Sequence, residues 1–119
     1  MKAVVVWMIK IKIQRQKNKI IYFEIKGHAN FSEYGEDVIC AAVSSVGQMT
    51  VNGLIETLKL KKKLKFTEED GYISCDLKNS GLTDDELENA DILVESMYSY
   101  LKDVAKSYKN FVKLREIKK

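Results

Sequence analysis

The chain carries one histidine and two cysteines in 119 residues. The histidine and the first cysteine fall in one stretch, "IKGHANFSEYGEDVICAAVSS", residues 25–45. A thiol attacks a carbonyl as thiolate, and a free cysteine has a pKa of about 8.5. A neighbouring histidine can take the thiol proton, stay beside the sulfur as imidazolium, and later protonate a leaving amine. His28 and Cys40 could therefore form a nucleophilic pair. Spacing alone leaves a second reading open: a histidine after a strand is often a plain loop residue, and a cysteine in "VICAAV" a small core residue.

The two candidates need rigid supports, and the neighbouring patterns predict them. Residues 3–13 begin apolar and then alternate, with Trp7, Ile9, Ile11 and Ile13 on one side and Met8, Lys10 and Lys12 on the other, a half-buried strand. "RQKNK" reads as a turn in which Asn18 can adopt unusual backbone angles, and β-branched and aromatic "IIYFEIK", residues 20–26, returns as a second strand ending at Gly27. A loop, residues 28–37, leads to a helix expected from Asp37, with Ile39, Val43, Val46, Thr50, Leu54 and Leu58 on one face. The histidine then stands at a strand exit and the cysteine in the first helical turn. There the helix dipole favours a thiolate by about 0.3–1 kcal/mol, up to ~2 when partly buried. Ala41, Ala42, Ser44, Ser45 and Gly47 keep that helix thin enough for close approach to a sheet or a second subunit.

Residues 62–66 and 72–77 are expected to form a second hairpin with "TEEDG" as its turn. "TDDE", residues 83–86, is a capping box opening a long helix whose inward face is Leu87, Ala90, Val94, Met97, Leu101, Val104 and Tyr108. "NFVKLREI" adds a last strand. The order ββ-α-ββ-α-β predicts an α+β fold: a two-layer sandwich, with two helices on one face of a mainly antiparallel sheet, in a single domain over residues 1–119.

Composition narrows the chemistry further. Hydrophobic residues make up 45% and charged residues 31%, a globular balance. "AVVVWMI" is too short to span a bilayer and lacks the flanks of a signal peptide, so no membrane association and a cytoplasmic location are expected. A Cys/His zinc site could draw on only three such residues, without C-x-x-C spacing, so neither metal nor cofactor is expected. Cys75 shares a strand face with Ile73 and Leu77 and reads as core. The net charge of +3 is mild, and Lys61, Lys62 and Lys63 read as a solvated run, so no direct nucleic-acid contact is expected. A thiol redox role lacks a resolving cysteine near Cys40.

The motif residues also resemble a family. Gly27, His28, Ala29, Gly35, Asp37, Cys40, Ala41, Ala42 and Ser44 match the pattern of the ribosomal-processing cysteine proteases, Prp, including the histidine-to-cysteine interval. The specific motif covers residues 27–44; beyond it the likeness is one of size and architecture. The resemblance implies a bacterial cysteine endopeptidase that removes an N-terminal extension from a large-subunit ribosomal protein of the bL27 type, cutting after a phenylalanine in an apolar segment, and that forms a homodimer. It makes Cys40 the nucleophile and His28 the general base.

Physical roles for the other motif residues follow. Asp37 is expected at the helix N-cap, or orienting the imidazolium. Ser44, one helical turn beyond Cys40, can order the site or bond back along the helix. Gly35 lets the loop approach substrate, Gly27 ends the strand beside His28, and Phe31 and Tyr34 can line a pocket for an apolar side chain. The Cys40 amide is the first candidate for an oxyanion donor. The competing reading is a non-catalytic ribosome- or RNA-binding module, indifferent to loss of Cys40 and sensitive to salt.

Overall fold

The computed structural model describes residues 9–27 and 34–119, with the side chains of residues 34–37 outside that description. Strand β1 (Ile9–Gln16) and strand β2 (Lys19–Lys26) form the first hairpin. Its two-residue turn has positive φ at both Lys17 (50°) and Asn18 (66°), the handedness that matches the twist of a tight hairpin. The expected first strand thus runs further than residue 13, and its residues 3–8 lie outside the described region. Alternation holds within it, since Ile9, Ile11 and Ile13 are buried while Lys10 is exposed.

Helix α1 (Tyr34–Asn52) follows, and its last turn widens into a π-helical segment, Gly53–Thr57, closed by the Leu58 amide donating to the Gly53 carbonyl at 2.9 Å. The helix begins at Tyr34, three residues before the expected start at Asp37, so residues 34–37 are helix and not loop. Val43, Thr50 and Leu54 are buried as the pattern requires, and Val51 and Gly47 join them. Residues 38–57 are long and apolar enough to cross a bilayer by composition. Val43, Val51 and Leu54 of this stretch pack into the core of the domain, while Val38 and Met49 are exposed.

The second hairpin pairs β3 (Lys65–Glu69) with β4 (Tyr72–Asp76). It is displaced from expectation: residues 61–63 form a turn, and the reversal is the two-residue Asp70–Gly71, with Gly71 at φ 77°. Acidic "TEE" therefore sits in the strand, because β3 is an edge strand exposed along its whole length and charge there costs little. Helix α2 (Asp84–Ser107) opens with the expected capping box: the Glu86 amide donates to Thr83 Oγ1 at 3.1 Å, and the Thr83 amide to Glu86 Oε1 at 2.9 Å. Ala90, Val94, Met97, Leu101 and Val104 are buried. Tyr108, expected on the same face, is the C-cap and exposed, because the helix stops there.

Strand β5 (Val112–Lys118) completes a five-stranded sheet of order β3-β4-β2-β1-β5. Every neighbouring pair is antiparallel except β1 with β5, which is parallel, Ile9 opposite Val112 through Arg15 opposite Lys118. A register shift at Gln14/Arg15 leaves Ile21 as the extra residue of β2, and its carbonyl accepts from the Leu77 and Lys78 amides at 2.8 and 3.1 Å. Both helices cover the sheet face that carries Ile11, Ile13, Phe23, Ile25, Ile73 and Cys75, and among the described residues no helix covers the opposite, open face. Each large side chain fully withdrawn there, Phe23 or Ile13 for example, contributes about 1.5–3 kcal/mol of transfer energy. The α+β two-layer architecture is the expected one.

Candidate active site

β2 and α1 bring one cysteine to a defined place. Gly27 ends β2 with φ 110°, a conformation open to glycine, and its amide donates to the Gly71 carbonyl at 2.9 Å in the β3–β4 turn. Pinned in this way, the Gly27 carbonyl accepts from the Cys40 thiol, Sγ to O 3.7 Å. Cys40 is thus anchored to the residue bonded to His28. His28 and Phe31 lie outside the described residues, as do the side chains of Tyr34 and Asp37.

The thiol lies at a cavity of about 360 Å³ between α1 and the ends of β2 and β4. Cys40, Ala41, Ser44 and Gln48 line it from the helix, Ile25 and Ile73 from the sheet, and the Asp70–Gly71 turn closes one side. Ser44 and Gln48 follow Cys40 at intervals of four, so one helical stripe presents a thiol, a hydroxyl and an amide to the same space. Ser44 is where its spacing predicted. Gln48 was not anticipated, although its position eight residues after Cys40 carried the same signal. The turn residues could not be found this way, because only strand pairing brings them to the cysteine.

Two expectations change with the helix start. Cys40 is the seventh residue of α1 and not in its first turn, and the dipole effect fades beyond that first turn. Asp37 falls within the helix and not at its N-cap. The Cys40 amide, deep enough to bond the carbonyl four residues back, is committed in this conformation, and the unpaired amides belong to the first turn. Activation of the thiol must therefore come from a base beside it.

The second cysteine is separate from this site. Cys75 is wholly buried in β4 facing the helices, and burial, with the charge of Asp76 next to it, pushes its thiol up to about 12. Among the described residues no three histidine, cysteine or carboxylate side chains cluster as a metal site.

Comparison with known proteins agrees with this arrangement. The family model described as cysteine protease Prp matches residues 8–113. The ribosomal processing cysteine protease Prp of Bacillus subtilis is 35% identical over 104 residues, 87% of this chain and 92% of that protein. A crystal structure from Streptococcus mutans superposes with a TM-score of 0.75 at 31% identity, covering 94% and 96% of the two chains. Staphylococcus aureus Prp, solved with a covalently linked product peptide, gives a TM-score of 0.70 at 25% identity over 92% and 99%. A cysteine held at a strand-end cavity, on this fold and over this length, places the chain in the Prp family of cysteine proteases.

Proposed function

We propose that this protease uses a Cys40–His28 dyad to remove the N-terminal extension of a large-subunit ribosomal protein of the bL27 type. The observation that carries the reading is the Cys40 thiol bonded to the Gly27 carbonyl beside a cavity of about 360 Å³. His28 follows Gly27 directly, so its backbone starts within one residue of the sulfur's partner.

In the reaction His28 takes the Cys40 proton and the thiolate adds to the scissile carbonyl. The resulting oxyanion requires N–H donors, which the first turn of α1 supplies more readily than the committed Cys40 amide. Collapse breaks the C–N bond, His28 gives its proton to the leaving amine, and water hydrolyses the thioester. The covalent peptide adduct of the Staphylococcus aureus relative supports such an intermediate. Ser44 and Gln48 offer hydrogen bonds to the peptide, and Ile25 and Ile73 an apolar wall.

The protein acts in the cytoplasm as a homodimer in this reading. Support for the dimer comes from a groove of about 580 Å³ between α1 and α2, where Met49 and Tyr100 are 69% and 51% exposed.

The test is cleavage of a synthetic peptide carrying such an extension, with the cut located by mass spectrometry. Wild type should cut once, after an apolar residue. Cys40→Ala and His28→Ala should each lower kcat/KM by about 10³-fold or more. Full activity in the His28→Ala protein would exclude the dyad.

A further inference from the structure

The open face of the sheet carries a pattern that the linear sequence hides. Register places Lys26 opposite Lys10 and Lys10 opposite Lys113 in one row across β2, β1 and β5; the next row is Glu24, Lys12 and Arg115. Residues directly opposite in a sheet share a face, so five cations meet on three adjacent strands. Strand spacing makes the patch about 10 Å wide and about 7 Å along the strands. Lys10, Lys12, Lys26, Lys113 and Arg115 indeed line one shallow depression of about 310 Å³, together with Ile11 and Glu24.

The one carboxylate there is already engaged. Glu24 Oε1 accepts from the Tyr22 hydroxyl at 2.7 Å and the Tyr72 hydroxyl at 3.2 Å. Among the described residues none of the five cations is ion-paired. Like charges held side by side on a sheet repel, and the single carboxylate of Glu24 offsets only part of that cost for five cations. The better-known basic run behaves otherwise: Lys61–Lys63 lies in a turn, and Lys63 Nζ is bound to Glu86 at 2.7 Å. The expectation against nucleic acid rested on that run and on the mild net charge, neither of which reports how strand register gathers cations.

We propose that the open face of β2, β1 and β5 docks an RNA phosphodiester backbone. A second copy of the chain does not suit it, since two such faces would oppose ten cations. The repeating single charges of a polynucleotide match five ammonium and guanidinium groups spread over two rows and three strands better than one isolated anion does. The patch also has a useful location. Lys26 directly precedes Gly27, so it lies at the same sheet end as Cys40 but on the opposite face. RNA on one face leaves the peptide cavity on the other face free.

The experiment measures anisotropy of a fluorescein-labelled single-stranded RNA of mixed sequence, titrated with the full chain carrying Cys40→Ala. Using that variant separates the outcome from the protease reading, which is tested by cleavage alone. Contact with about three phosphates gives a log–log salt slope of about −2. Lys12→Glu and the pair Lys113→Ser/Arg115→Ser should each weaken binding about tenfold or more and flatten that slope, whereas Lys61→Glu/Lys62→Glu should change it less than about twofold. The edge-strand pair uses small polar residues, so it stays informative if the charge reversal in central β1 fails to fold. Equal loss with the turn variants, or no loss with the sheet variants, overturns the proposal. Tighter binding of poly-glutamate than of RNA overturns it too and assigns the face to an acidic protein.

Discussion

At the scale of single residues the two cysteines are set apart by their surroundings. Cys40 is partly exposed at a cavity, and Cys75 is sealed in the core with its thiol held neutral. In the folded chain Cys75 keeps its proton up to about 12, whereas the unfolded chain releases it near the ordinary thiol value. Between those limits the unfolded state binds fewer protons, so this residue withdraws stability as pH rises through the window. The same burial predicts selective chemistry. Iodoacetamide at pH 8 should alkylate Cys40 alone in the native protein and both cysteines in denaturant, read as added mass. Native labelling of Cys75 at a comparable rate would contradict the core seen here.

At the scale of elements, Gly47 decides how closely α1 lies on the sheet. A Cβ built there would stand 2.7 Å from Ile25 Cδ1 and 3.1 Å from Ile73 Cδ1. Those same isoleucines wall the Cys40 cavity. Gly47→Leu should therefore lower stability by about 1–3 kcal/mol in denaturant unfolding and raise KM for peptide more than it lowers kcat. An unchanged KM would mean that the cavity is not the peptide site. Elements were the most legible part of the sequence, because period-two and helical patterns, a capping box and an asparagine-bearing hairpin turn each report local physics. The boundaries that moved did so for tertiary reasons. β3 begins at Lys65 because its edge position tolerates charge, and α1 starts at Tyr34, about one turn ahead of Asp37. In the site, Cys40 was legible by type and Ser44 by helical period, while His28 lies outside the described residues. The Asp70–Gly71 turn and the basic sheet face were not, since strand register creates both.

At the scale of the whole molecule one polar cluster ties centre to edge. Arg15 of β1 binds Glu95 of α2 through both terminal nitrogens and Glu116 of β5 at 2.9 Å, while the Tyr98 hydroxyl donates to Glu116 at 2.6 Å. The Tyr98 hydroxyl first, and Arg15 next, hold the Glu116 carboxyl below its usual range. A depressed carboxylate pKa contributes stability that is complete above the unfolded value of about 4.3 and disappears as pH falls through the folded one. Glu116→Gln should accordingly be less stable than wild type at pH 7, with the difference shrinking under acid, as followed by thermal unfolding between pH 7 and pH 3. A constant difference across that range would place the effect in packing instead. The parallel pairing of β1 with β5 adds a matter of timing. Ile9 meets Val112 only after the chain between them has closed a loop of nearly its whole described length, the slowest kind of contact to form. During synthesis the cysteine helix leaves the ribosome well before β5 does. The central strand must wait for its outer neighbour, and Arg15 for Glu116. A protease with this connectivity is assembled in full only once β5 has emerged to pair with a strand made about a hundred residues before it.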